Sequence, residues 1–162
     1  MQKLIMVAFT LMFAVACHKA GNKTNSHSNV AHPDHLHHNA NVVPGSQADL
    51  EANVGNTVYF AFDSSSLNAE SQATLSRQAA WMKANPKVSV AVEGHCDLRG
   101  TREYNLGLGE RRANAAKNFL VSAGIEASRI TTISYGKERP AVLGDGEEVW
   151  SKNRRSATVV AQ

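Results

Sequence analysis

Two cysteines in 162 residues leave no room for a disulfide framework. The single bridge available, Cys17 to Cys96, is disfavoured because Cys17 falls in a tail and Cys96 ends a predicted strand. A strong excess of charge of one sign is also missing. Lysine and arginine number 17 against 14 aspartate and glutamate, a net charge of +3. That balance lacks the concentrated basic face that nucleic-acid binding needs, so no nucleic-acid partner is expected. The apolar run at residues 4–16, broken only by Thr10, is 13 residues long. A membrane-crossing helix needs ~20. A hydrophobic share of 43% fits an ordinary globular chain, and the length fits one domain with something in front of it.

What stands in front is an export signal. Lys3 supplies the positive charge, residues 4–16 the apolar stretch, and Ala14-Val15-Ala16 the small residues at its end. Residues 1–16 are therefore read as a signal peptide and set aside from fold reasoning. Cys17 follows directly, and the stretch resembles a bacterial lipobox, with Ala14 where that pattern has leucine. The resemblance implies that Cys17 is lipidated, carries fatty acyl chains such as palmitate, and becomes the mature N-terminus. The other reading is ordinary cleavage after Ala16 with Cys17 unmodified.

Residues 17–52 read as a tether, because runs such as Gly21-Asn22-Lys23-Thr24-Asn25-Ser26 have almost nothing to bury. Six of the seven histidines lie here, with His32, His35, His37 and His38 close together. Clustered imidazoles bind zinc, copper or nickel, but no carboxylate or thiol is placed to close a site. A polar spacer without metal is the simpler reading, and no cofactor is expected.

From residue 53 to 162 the pattern becomes that of a folded domain. Val58, Phe60 and Phe62 alternate with Tyr59, Ala61 and Asp63, which predicts a strand with one apolar face. Asn68 is placed to cap a helix with Glu70 in its first turn, and Leu75, Ala79 and Met82 form its core stripe. Asn85-Pro86 ends it. Val88, Val90 and Val92 predict a second strand that leads into Gly94-His95-Cys96-Asp97. A second helix is expected from about 104 to 123, its stripe built from Ala116, Phe119, Leu120 and Ala123, with Gly124 stopping it. A strand over 129–135, a short helix over 147–152 and a strand over 157–161 complete the chain. The expected fold is α+β in the order β-α-β-α-β-(α)-β: a four-stranded mixed sheet with helices packed on one side.

Several motifs now stand in a fixed order: Phe60-Ala61-Phe62-Asp63, Glu93-Gly94-His95-Cys96-Asp97-Leu98-Arg99-Gly100, Tyr104-Asn105-Leu106-Gly107-Leu108-Gly109-Glu110-Arg111-Arg112-Ala113, Ser134-Tyr135-Gly136-Lys137-Glu138-Arg139-Pro140 and Asn153-Arg154-Arg155. Together they resemble the OmpA-like peptidoglycan-binding domain, and within it the family of peptidoglycan-associated lipoproteins. Cys96 replaces the small alanine or threonine usual there. The resemblance implies a non-enzymatic outer-membrane lipoprotein facing the periplasm. Such a protein holds peptidoglycan non-covalently through diaminopimelate, as part of the Tol-Pal system that keeps the envelope intact and draws in the outer membrane at division.

The chemistry agrees with that implication. The side chain of diaminopimelate ends in a carbon bearing an ammonium and a carboxylate, so a binder needs an anion and a cation a few ångströms apart. Asp97 at a strand end and Arg112 inside the next helix are the expected pair, with Asp97 taking the ammonium. The planar fork of Arg112 suits the carboxylate better than a lysine would. A plain Asp97–Arg112 salt bridge is the alternative. In the family the strand edge that carries Phe62 and Asp63 lines the same pocket, and Asn105 and Leu108 lie on the near side of the second helix, with Leu108 offering an apolar wall. For Phe62 and Leu108 core packing is equally open, and for Asn105 a helix cap or loop clamp. The resemblance alone also implies a partner, the periplasmic propeller protein TolB, and through it the Tol complex, with Gly100, Thr101, Glu103 and Tyr104 as contact candidates. Arg99, Arg102, Lys137, Arg139, Arg154 and Arg155 read as mostly solvated surface.

Other functions are weighed against this one. Glu93, His95 and Asp97 could serve as acid–base groups of a wall hydrolase, but no nucleophile or oxyanion donors are identifiable around them. A motor-stator-like wall anchor would keep a true transmembrane helix, which the short run at residues 4–16 does not supply. Metal handling by the histidine-rich tether is a further alternative.

Overall fold

The computed structural model describes residues 42–161, so Cys17, the signal peptide and His32, His35, His37 and His38 lie outside the described residues. The folded part begins earlier than the expected boundary at Asn53. Ser46 caps a helical turn, α1 (Gln47–Asp49), by accepting the Asp49 N–H at 3.1 Å. The chain then runs through a π-helical stretch, Leu50–Val54, with Leu50 fully buried in the core. Trp81 donates its indole N–H to Asp49 at 2.8 Å, which fixes this turn to the main body. The boundary moves because Leu50 and Val54 are core residues, although the sequence around them is polar.

Strand β1 is Thr57–Tyr59 and ends sooner than the alternation through Phe62 suggests. Phe60 still bonds its N–H to the Arg154 carbonyl, but Asp63 takes a left-handed conformation (φ 51°) and the chain turns away. Helix α2 (Ala69–Ala84) starts where Asn68 accepts the Ser71 N–H at 2.8 Å and ends at Asn85, before Pro86. Strand β2 is Val90–His95. Helix α3 (Arg102–Ser122) is capped by Thr101 and stopped by Gly124, whose φ of 93° suits glycine. Strand β3 (Ile130–Gly136), helix α4 (Glu147–Asn153) and strand β4 (Arg155–Val160) follow, each within two residues of expectation at its ends.

The sheet order is β1-β4-β2-β3. β2 and β3 are parallel, as the α3 crossover between them requires, and β4 lies antiparallel between β1 and β2. One face is packed. Val58, Val90, Val92 and Ile130 from the sheet meet Leu75, Ala79 and Met82 of α2 and Ala113, Ala116 and Leu120 of α3 in a single core. Each large aliphatic side chain there contributes roughly 1.5–3 kcal/mol by leaving water. The expected α+β architecture is the one observed.

Two glycines decide how closely α3 sits on the sheet. A Cβ on Gly94 would lie 1.8 Å from the Gly109 carbonyl oxygen, and one on Gly109 would lie 2.4 Å from Ser134 Oγ. Gly107 and Gly109 each weaken the helix by about 1 kcal/mol relative to alanine. At Gly109 that loss is offset by a backbone approach no other residue permits. Immediately after Gly94 the β2–β3 register shifts, and the strand end turns toward the start of α3.

Candidate functional site

At that strand end lies a pocket of about 130 Å³, lined by Phe62, Asp63, Cys96, Asp97, Arg99, Gly100, Tyr104, Asn105, Leu108 and Arg112. All six residues expected to bind a wall peptide line it, and three separate stretches of chain supply them. β1 runs out into Phe62 and Asp63, the β2 end gives Asp97, and the first three turns of α3 give Asn105, Leu108 and Arg112.

Arg112 is entirely buried. Its Nε donates to the Ser64 carbonyl at 2.8 Å, Nη1 to the His95 carbonyl at 2.9 Å and Nη2 to the Ala61 carbonyl at 3.2 Å. Its guanidinium also lies 5.3 Å from the Phe60 ring centroid. Burial lowers its pKa from the ordinary arginine value. Among the described residues no ion pair joins it to a carboxylate, so the expected alternative of an Asp97–Arg112 bridge is not formed. Three carbonyl dipoles solvate the cation without neutralising it.

Asp97 is paired elsewhere. Its carboxylate meets Arg99 at 2.6 Å and Arg154 at 3.4 Å. Burial alone would raise its pKa, but the hydrogen bonds from Arg99 and then Arg154 outweigh that and hold it below the ordinary carboxylate range. This corrects the surface reading of two arginines. Arg154 is 5% exposed and reaches the Phe60 carbonyl at 3.0 Å and Glu147 of α4 as well as Asp97. Arg99 stacks between the rings of Phe62 and Trp150. A local signal for Arg99 existed: its N–H returns to Asp97 Oδ1 at 3.1 Å, a side-chain turn that Asp favours. Arg154 lies 57 residues from Asp97 and carried no such signal.

The remaining walls take mixed roles. Phe62 is 60% exposed, so core packing does not explain it; its ring is a platform for Arg99. Leu108 is buried and lines the pocket. Asn105 lines the pocket and clamps the loop, donating to the Arg99 and Thr101 carbonyls at 2.7 and 3.0 Å. Tyr104 donates its hydroxyl to Asp63, and that bond raises the Tyr104 pKa. Cys96 is a free, buried thiol whose pKa burial raises. Of the four partner-contact candidates, Gly100 and Tyr104 line the pocket, while Thr101 and Glu103 are exposed beside it.

The acid–base set considered for a hydrolase is split. Glu93 lies 3.4 Å from His95, and neither lines the pocket that holds Asp97. Burial, with help from the Arg155 charge, lowers the His95 pKa to about 4, so the ring is neutral near pH 7. Among the described residues no cluster of His, Cys, Asp and Glu is arranged to hold a metal, and no helix is long and apolar enough to cross a membrane.

Residues 59–154, which contain the whole pocket, match the model of the OmpA family. The chain belongs to the OmpA family. A peptidoglycan-associated lipoprotein of Agrobacterium fabrum is 47% identical over 99% of this chain and 91% of its own length. One of Brucella abortus is 51% identical over 72% of this chain and 70% of its own. Among solved structures, the peptidoglycan-associated lipoprotein of Burkholderia pseudomallei superposes with a TM-score of 0.67 at 36% identity, covering 70% of this chain and 98% of that one. The C-terminal domain of Helicobacter pylori MotB shares the fold at 23% identity and a TM-score of 0.62, covering 66% of this chain and 84% of that one. Membership places the chain among structural proteins rather than enzymes.

Proposed function

We propose that this chain is an outer-membrane lipoprotein that binds peptidoglycan non-covalently, its pocket gripping the zwitterionic end of diaminopimelate in the stem peptide. The observation that carries this reading is Arg112. A fully buried guanidinium with carbonyl partners and no carboxylate keeps a net charge in a poorly solvating place. It faces a pocket of a few side chains' volume in which Asp97 is the neighbouring anion. A ligand carboxylate would neutralise Arg112, and the adjoining ammonium would be drawn to Asp97, with Leu108 and Phe62 flanking the methylene chain.

The names of the relatives, all lipoproteins associated with peptidoglycan, support the same reading. The rest of the proposal rests on that kinship. Lipid on Cys17 anchors the chain, residues 17–52 form the tether, and the domain faces the periplasm. TolB docks beside the pocket at Gly100, Thr101, Glu103 and Tyr104, linking the chain to the Tol complex and to membrane constriction in division. Several acyl chains on one cysteine would make that anchor durable where one would not.

Co-sedimentation with purified sacculi tests the pocket. Wild type should pellet with the wall, and Asp97→Asn and Arg112→Lys, each checked for folding by circular dichroism, should remain largely in the supernatant. Undiminished pelleting of both would sink the assignment. A mass spectrum of the mature N-terminus tests the anchor, which fails if Cys17 is bare.

A further inference from the structure

The proposed zwitterion site needs Asp97 open, and in this structure Asp97 is closed. A carboxylate has about four lone-pair positions. Here Oδ1 accepts the Arg99 backbone N–H and the Arg99 Nε, both at 3.1 Å, and Oδ2 accepts Arg99 Nη2 at 2.6 Å and Arg154 Nη1 at 3.4 Å. Arg99 supplies three of those four donors. An incoming ammonium has no vacant position on this carboxylate until a donor leaves.

The donor able to leave is the Arg99 side chain. The Arg154 side chain is 6% exposed and tied down by the Phe60 carbonyl and Glu147, whereas that of Arg99 is 33% exposed. A second berth is already beside it. Glu147 Oε2 lies 3.8 Å from the same Arg99 nitrogen. The guanidinium sits 3.9 Å from the Phe62 ring centroid and 4.2 Å from that of Trp150, a slot in which it can shift from one carboxylate to the other without losing its cation–π contacts.

We propose that Arg99 is a specificity-setting competitor of the ligand ammonium: it occupies Asp97 in the empty pocket and must pass to Glu147 before an ammonium can bind. This rests on the pocket being a zwitterion site. The two halves of the ligand are then weighed unequally. The carboxylate meets a cation that is in no ion pair among the described residues, while the ammonium must first displace an internal one. Affinity comes mainly from the carboxylate, and Arg99 subtracts from the contribution of the amine.

Titration calorimetry with two ligands separates the possibilities. One is a stem tripeptide ending in meso-diaminopimelate; the other is the same peptide acetylated on the diaminopimelate side-chain amine. Arg99→Ala opens Asp97, and Arg99→Met does so while keeping an unbranched stem between the two rings. Both variants are expected to bind the free-amine peptide about fivefold more tightly, the scale of one partly exposed charge-assisted pair, and the acetylated peptide as wild type does. Weaker or unchanged binding of the free-amine peptide by Arg99→Met overturns the proposal, since Arg99 would then be a ligand contact or a bystander. Equal tightening toward both peptides overturns it as well, because removing Arg99 would merely have widened the pocket. Wild type that binds neither peptide overturns the zwitterion reading itself. Wild type that binds both, with the Arg99 variants failing as described, leaves that reading standing and removes only this inference.

Discussion

The backbone carbonyl of His95 accepts a hydrogen bond from Arg112 Nη1 at 2.9 Å. The last residue of β2 is thereby joined to the third turn of α3 through a buried guanidinium, and the same side chain reaches Ala61 and Ser64 beyond β1. The residue proposed to bind a carboxylate is also the clasp that brings the pocket's three stretches of chain together.

Arg112→Ala should therefore lose stability as well as ligand. It strands three carbonyls, each costing ~1 kcal/mol or more when left unsatisfied in the interior, for a loss of about 3 kcal/mol. Urea unfolding followed by circular dichroism measures this. A loss under 1 kcal/mol would mean water replaces the guanidinium and that the clasp is unimportant.

Acid should weaken the fold through His95. Its pKa drops from 6.5 to about 4 on folding, so as pH falls below 6.5 the unfolded chain takes the proton first. The stability present above pH 6.5 is then lost progressively down to pH 4, roughly 3 kcal/mol in all. The depressed Asp97 carboxyl adds a further loss at still lower pH, as it protonates in turn. Unfolding free energies at half-unit pH steps should fall across this window in wild type and stay nearly flat in His95→Gln. Parallel curves would assign the slope to other groups.

Gly94→Ala should be among the most damaging single changes in the domain. Its Cβ would sit 1.8 Å from a backbone oxygen of α3, and neither partner is a flexible side chain. The helix must lift, which disturbs Leu108 and Arg112 together. We expect a loss of about 3 kcal/mol or failure to fold, read as a drop in midpoint on thermal unfolding. A shift under 2 °C would contradict the tight approach.

Arg154→Met should destabilise by about 3 kcal/mol. It leaves Asp97 with Arg99 alone, removes the donor to the Phe60 carbonyl and breaks the link to Glu147. Denaturant unfolding of Arg154→Met, Asp97→Asn and the double variant reads the coupling. Strictly additive losses would show that the two side chains act independently.

Much of this molecule could be read before it was seen. Asn68 and Gly124 act locally, by capping or by backbone conformation, and local signals survive in a sequence. Core stripes such as Leu75, Ala79 and Met82 repeat at helical spacing. The convergence of Asp97 and Arg112 on one pocket was legible from family motifs, but the pairing of Asp97 was not. Its real partners depend on where two long, flexible side chains end up, and Arg154 arrives from the far end of the chain. The strand expected through Phe62 ends at Tyr59: the apolar alternation continues, but the backbone leaves the ladder after the Phe60 N–H and turns at Asp63, whose φ is 51°. The early turn was missed although its signature was present: Ser46 with Asp49 three residues on is a capping pattern, obscured by the polar run around it.

The placement of β4 between β1 and β2 has a mechanical consequence. The N-terminal turn grips one end of these strands, where Gln47 accepts the Val160 N–H at 2.8 Å, and Ala161 donates to Ser89 just before β2. The pocket gathers at the opposite end, where β2 finishes and Arg154 leads into β4. A pull applied between the two runs along the strands and loads the β2–β4 ladder in shear. Its hydrogen bonds must then fail together rather than one after another.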